Sequence, residues 1–189
     1  MQLNKSKTLI NLARSFAGEA QAGLRYQFIA EKCLNAGYKI LSDEIKSLAK
    51  NEVKHAKVFF DFIVNDGGYQ NIEFTAGYPF MGQDIKTGLE NAVKSEKDES
   101  LIYDKFAQVA IDEGFDEIAK KYKLIAEVER QHADKLNYLL NGYDNDQLYN
   151  LTKPTMWRCS ECGHIETSSS GWDVCPLCGS TQGFIEIKL

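Results

Sequence analysis

Shifted by 77 residues, the first half of this chain falls on the second without a gap, and the polar residues that coincide leave few folds open. Glu19 falls on Glu96, Tyr26 on Tyr103, Ala30 on Ala107 and Gly37 on Gly114. Tyr38 meets Phe115, Ala49 meets Ala126, and Glu52, His55 and Ala56 meet Glu129, His132 and Ala133. One offset that carries apolar and charged residues together marks a duplicated unit. Within the first copy, apolar residues recur at helical spacing: Leu9, Leu12, Ala13, Phe16 and Ala20, then Ile45, Leu48, Ala49 and Val53. Breaks fall at Asn35-Ala36-Gly37, from Asn65 through Gly82, at Glu113-Gly114 and at Asn141-Gly142. They predict four helices at about 5–35, 39–64, 83–112 and 115–140. Short links join each pair and a longer connection, 65–82, joins the pairs. The expected fold is an all-α four-helix bundle built from two related hairpins with one crossover.

Near residue 142 the composition changes. Residues 1–141 form the expected bundle domain, 142–155 read as a linker ending near Pro154, and 156–189 read as a small second domain. The last segment holds both tryptophans and four of the five cysteines, and its tail alternates Phe184, Glu186, Lys188 with Ile185, Ile187, Leu189. The net charge of −5, with a pI of about 5.3, argues against nucleic acid as a partner. No run of about 18 apolar residues suggests a membrane span, and the first residues carry no apolar signal core. The expectation is a cytoplasmic protein.

Each hairpin carries one Glu on its first helix and Glu-x-x-His on its second: Glu19 with Glu52 and His55, Glu96 with Glu129 and His132. Residues three apart share a helical face, so both side chains of each Glu-x-x-His reach one point. A Glu from each of two helices plus Glu-x-x-His from the other two is the ligand set of a di-iron or di-manganese carboxylate bundle. Hard carboxylates balance and bridge two ions, while one imidazole per metal fills a terminal position. Glu99 breaks the symmetry. It lies three residues after Glu96, and its counterpart under the shift is Ala22; it is either a surface residue or a seventh ligand serving one metal only. Tyr26 and Tyr103 follow Glu19 and Glu96 by about two turns, placed either to donate to ligand carboxylates or to pack in the core. Cys33 reads as a small buried or half-buried residue.

Cys159-x-x-Cys162 and Cys175-x-x-Cys178 are separated by 12 residues, which is the spacing of a tetrahedral four-thiolate site. The spacing leaves iron and zinc both open. His164 follows the first pair as a surface or outer residue, and Trp157 and Trp172 read as the small domain's core.

With both domains in place the chain resembles the rubrerythrin family. The residues that carry the resemblance are Phe16-Ala-Gly-Glu19-Ala-Gln-Ala22, Glu52-x-x-His55, Glu96-x-x-Glu99, Glu129-x-x-His132 and a rubredoxin-like Cys159-x-x-Cys162…Cys175-Pro-x-Cys178. The resemblance implies a ferritin-like bundle with two iron ions, followed by a rubredoxin-like β domain with one iron in a four-cysteine site. It implies that Glu52 and Glu129 bridge the irons and that Glu96 and His132 are terminal on one. Glu19 and Glu99 would serve the other, with His55 exchanging for Glu99 as that iron changes oxidation state. It further implies a homodimer in which one subunit's tetrathiolate delivers electrons to the other's di-iron site. Two departures stand out. In the family pattern the tyrosine falls one residue later than Tyr103, and a Trp stands at Ser100. An extra residue at such a site is often a π-bulge, so its absence predicts a more regular third helix. His164 and Trp172 replace more usual residues of the rubredoxin-like loop.

The expected function is reduction of hydrogen peroxide to water, linked to NADH through an external donor such as rubredoxin or a reductase. The alternatives are a ferroxidase or oxygen-reducing oxidase, and a non-catalytic metal-binding protein with zinc in the tail. The cysteine module discriminates, since an electron relay serves repeated reductive turnover and is unnecessary for iron oxidation.

Overall fold

The structure is a computed structural model that describes residues 2–68 and 71–187. Met1, Tyr69, Gln70 and, from the alternating tail, Lys188 and Leu189 lie outside the described residues. Four helices, α1 (Lys7–Asn35), α2 (Lys39–Asp66), α3 (Ile85–Asp112) and α4 (Asp116–Asp144), are followed by three strands, β1 (Asn150–Cys159), β2 (Ile165–Ser170) and β3 (Ile185–Ile187). The strands form one antiparallel sheet in the order β2-β1-β3. This is the ferritin-like bundle and rubredoxin-like β domain that the sequence predicts. The third helix is a continuous α-helix across Glu96, Glu99 and Tyr103, as the missing residue implies.

Local chemistry explains the helix ends. Ser6 Oγ accepts from Leu9 N at the start of α1, and Asp84 caps α3 through Thr87 N at 2.8 Å. Both hairpin turns close identically. Gly37 and Gly114 hold φ of 86° and 83°, while Tyr38 N reaches Cys33 O and Phe115 N reaches Ala110 O, each at 2.8 Å. That is a Schellman closure, which needs a left-handed residue and therefore favours glycine. The fourth helix runs past the break at Asn141-Gly142 to Asp144, with Gly142 under Leu148 and the left-handed residue falling at Asp146, φ 56°. With β1 starting at Asn150, helix and strand both extend into the segment 142–155.

α1 packs chiefly on α2 and α3 on α4, and the α1–α3 and α2–α4 faces close the bundle. The core is not one apolar mass. One cluster joins Ile29, Leu41, Ile45, Leu89 and Leu136 at the end near the small domain. Another joins Leu12, Phe59, Ile118, Tyr122 and Ile125 at the far end. Between them lie Glu19, Glu52, Glu96 and Glu129, all fully buried. Cys33 is fully buried in the first cluster.

The small domain has its own core of Tyr149, Trp157 and Ile185, with Trp172 packed against it. Trp157 is fully buried, and its Nε1 donates to Ser168 O at 3.0 Å. This domain seats on the α1–α2 turn. Tyr149 Oη donates to Gly37 O, Lys39 pairs with Glu186 at 3.3 Å, and Gly183 lies so close to Gly37 that a Cβ there would collide with its backbone.

Candidate metal centre

Burying four carboxylates in one layer is unfavourable unless cations or protons compensate them. The helical phase brings Glu19 and Glu96 from α1 and α3 against the Glu-x-x-His faces of α2 and α4. Two sets of donors result, Glu19, Glu52, His55 and Glu129 in one and Glu52, Glu96, Glu129 and His132 in the other. Each set offers atoms within 4.8 Å of one another. Glu52 and Glu129 belong to both. Glu52 turns Oε2 to His55 Nδ1 at 3.2 Å and Oε1 to His132 Nδ1 at 3.0 Å. Glu129 does the same with Oε1 and Oε2, each 2.9 Å from its histidine. One oxygen of each carboxylate faces each position, which is the geometry of a bridging pair.

The donor set fits two irons on an independent observation. Glu19 Oε2, Glu52 Oε1, Glu96 Oε2, both oxygens of Glu129 and His132 Nδ1 are buried with no hydrogen-bond partner among the described residues. Short approaches without hydrogen-bond alignment are how ligands stand around a common ion. Hard oxygens with one imidazole per position suit di- and trivalent iron.

The two tyrosines cross the bundle. Tyr103 Oη donates to Glu19 Oε1 at 2.6 Å, and Tyr26 Oη donates to Glu96 Oε1. Each hydroxyl occupies one oxygen of a terminal carboxylate and leaves the other for metal. Asn51 is a participant that sequence reasoning missed. Its side-chain amide lies 3.2 Å from His132 Nε2. With Nδ1 given to a metal, Nε2 carries the proton, so the amide oxygen must face it. The shift places Val128 at the matching position for His55, so this support is one-sided. Asn51→Leu is expected to weaken metal binding at the His132 position by about 10–100-fold. Titration with ferrous iron checks this, and unchanged affinity at both positions would remove the role.

Glu99 joins neither set. It is half-buried and lies beside Gly18, whose added Cβ would sit 3.7 Å from Glu99 Oε1. It lines a cavity of about 400 Å³ between α1, α3 and crossover residues such as Tyr78, Pro79 and Met81.

Without metal the site holds protons. Burial pushes Glu19 and Glu96 well up, with neighbouring carboxylates adding to it. Burial, then Glu129 and Glu52, push Glu99 up to about 8. For the histidines burial acts downward but is overcome by the carboxylates, which raise His55 to about 12 and His132 to about 9. Burial also acts upward on Glu52, yet the close imidazoles of His132 and His55 bring it down to about 2. Groups raised on folding bind protons that the unfolded chain has released, so the metal-free bundle loses stability as pH rises through that interval. The interval runs from 4.5 to about 8 for Glu99 and from 6.5 to about 9 for His132. Glu52 acts the other way only between about 2 and 4.5. The melting temperature of metal-free protein should therefore fall between about pH 5 and pH 9, and metal, which displaces these protons, should remove the fall. A metal-free melting temperature that rises over this range would contradict the assignment.

In the small domain the four cysteines also converge. Cys159 and Cys178 Sγ lie 3.7 Å apart, as do Cys162 and Cys175 Sγ. A tetrahedron with metal–sulfur bonds of about 2.3 Å has edges of about 3.8 Å, so the sulfurs stand at ligand spacing. Gly163 and Gly179, with φ of 77° and 78°, turn the chain back after each pair. Ser180 Oγ lies 3.0 Å from Cys178 Sγ and, with its backbone, holds that thiol down at about 6. The His164 and Trp172 rings meet at a tilt of 53°, with centroids 5.2 Å apart.

No helix among the described residues is long and apolar enough to cross a membrane. The rubrerythrin family model matches residues 11–85 and 88–156. Rubrerythrin-1 of Clostridium acetobutylicum is 36% identical over 187 residues, covering 98% of this chain and 96% of that protein. Rubrerythrin of Clostridium perfringens is 34% identical over the same shares. Among solved structures, mixed-valence nigerythrin has the same fold, with a TM-score of 0.64 at 21% identity, covering 100% of this chain and 94% of its own. The chain thus belongs to the rubrerythrin family of iron-binding oxidoreductases, with a carboxylate–histidine di-iron site in its bundle and a rubredoxin-like four-cysteine site in its tail.

Proposed function

We propose that the chain is a non-haem di-iron peroxidase that reduces hydrogen peroxide to water in oxidative-stress defence in the cytoplasm, with electrons relayed through iron at the four cysteines. One observation supports this reading above others: a buried pair of carboxylate–histidine positions and a separate four-thiolate site occur in one chain. Peroxide takes up two electrons and two protons as its O–O bond breaks, and a thiolate iron passes electrons singly. When bound, the two irons supply those electrons and the Lewis acidity for the cleavage.

The chain supplies the geometry. Glu52 and Glu129 fix the separation of the two positions, and Glu96 with His132 close one side. Glu19 closes the other, where His55, and Glu99 in exchange for it, would hold the second iron. Tyr103 and Tyr26 orient Glu19 and Glu96. The two apolar clusters close this layer at both ends of the bundle.

The relay reading includes a homodimer. The cysteine domain seats beside Lys39, and Glu52 lies thirteen residues further along α2, about 20 Å at 1.5 Å per residue. That length within one chain favours delivery to a second copy's bundle. Cys162 and Cys178 are the exposed cysteines, and they form the edge open to rubredoxin or a reductase.

Stopped-flow mixing tests the proposal. Anaerobically reduced, iron-loaded protein is mixed with hydrogen peroxide or oxygen, and the visible band of the ferric tetrathiolate is followed. Fast oxidation by peroxide and slow oxidation by oxygen is the expected result. The reverse order would move the assignment to an oxidase, and zinc in the tail with no band would remove the relay.

A further inference from the structure

The cavity beside Glu99 is far larger than hydrogen peroxide requires. It measures about 400 Å³, whereas a dry cavity of about 150 Å³ already holds benzene. Ligand sites of this size are mostly apolar with a few placed polar groups, and this one follows that pattern. Pro79 and Met81 of the crossover, with Ile102 and Phe106 of α3, supply apolar wall.

Arg14, Gln21, Asn91, Lys94 and Asp98 also line the cavity, but two polar side chains stand apart by their unmet hydrogen bonds. Arg25 Nε and Nη2 and Glu99 Oε2 are buried with no hydrogen-bond partner among the described residues, and both residues line the cavity. A buried guanidinium needs an acceptor, and a buried carboxylate oxygen needs a donor. The two are not paired with each other. A hydroperoxide group carries what both lack, one O–H to give and oxygen lone pairs to receive. The cavity borders the metal layer, since Tyr103 lines it and bonds Glu19 at 2.6 Å.

We infer that this cavity binds small organic hydroperoxides, the –OOH group held between Arg25 and Glu99 in the state where His55 rather than Glu99 serves the iron, and the organic substituent under Pro79 and Met81. The inference rests on the peroxidase reading and extends its substrate class. The reaction balances as in that reading: the O–O bond breaks, two electrons and two protons are taken up, and alcohol and water leave. The electrons come by the route that serves hydrogen peroxide.

Two measurements on the iron-loaded full chain test it. Equilibrium dialysis of the oxidised protein with 2-phenyl-2-propanol, the alcohol product of cumene hydroperoxide, should show saturable binding. Met81→Trp, which fills the roof, and Arg25→Leu should each weaken it by about tenfold or more. In stopped flow the reduced protein should be oxidised by cumene hydroperoxide within about tenfold of the hydrogen peroxide rate, with Met81→Trp slowing the organic substrate more than hydrogen peroxide. Fast oxidation by hydrogen peroxide alone, with no alcohol bound, would overturn this inference and leave the peroxidase reading in place. Slow oxidation by both would overturn the two together. Alcohol binding that neither substitution alters would place the ligand elsewhere and overturn the assignment of the cavity.

Discussion

Glu129→Ala is expected to leave a folded bundle that no longer holds paired iron. Losing a group that merely supports a metal ligand costs about 10–100-fold in affinity. Glu129 gives one oxygen to each position, 2.9 Å from His55 and from His132, so its loss strikes both at once. Bundle iron should fall from two per chain to one at most, and peroxide-driven oxidation of the centre should be lost. The fold should survive, because the apolar clusters on either side do not include Glu129. Its removal also relieves the repulsion that raises Glu19 and Glu99. Metal analysis with far-UV circular dichroism decides the matter, and two tightly held irons in the variant would refute the bridging role. Glu129→Gln, which keeps the volume and one oxygen, should fall between wild type and alanine.

Cys162→Ser addresses the other site. Serine substitutes a hard oxygen for a soft thiolate at an exposed corner of the sulfur tetrahedron. The ferric tetrathiolate band should be lost or altered, and turnover driven by an external donor should drop to the level of the donor alone. Oxidation of pre-reduced bundle iron by peroxide should be unchanged, since no described residue of the small domain is among the carboxylate–histidine donors. Wild-type donor-driven turnover in this variant would show that electrons bypass the cysteines.

How legible this was in the sequence depends on what each feature rests on. The 77-residue offset exposed six candidate ligands and both hairpin turns, because the donors of a pseudo-symmetric site must repeat with the backbone that carries them. Helical phase put Tyr26 on the face of Glu19, but its hydroxyl reaches Glu96, since the partner is chosen by how α1 packs on α3. Asn51 carried no signal at all. It lies one residue before Glu52 and acts only through an outer nitrogen of His132. The direction of Glu99 was equally hidden, because spacing gives a face and side-chain torsions give the reach. The fourth helix outran its Asn-Gly break because Gly142 keeps a helical backbone and the left-handed turn falls at Asp146 instead.

The split core bears on maturation. The two apolar clusters hold both hairpins together at either end of the polar layer, and in the metal-free chain histidinium and retained protons offset the charge between them. Folding is therefore expected to proceed without iron, with loading a later exchange of protons for metal in a finished scaffold. The metal content of an isolated sample then records the supply it last met, so activity should be restorable by reloading with no unfolding step.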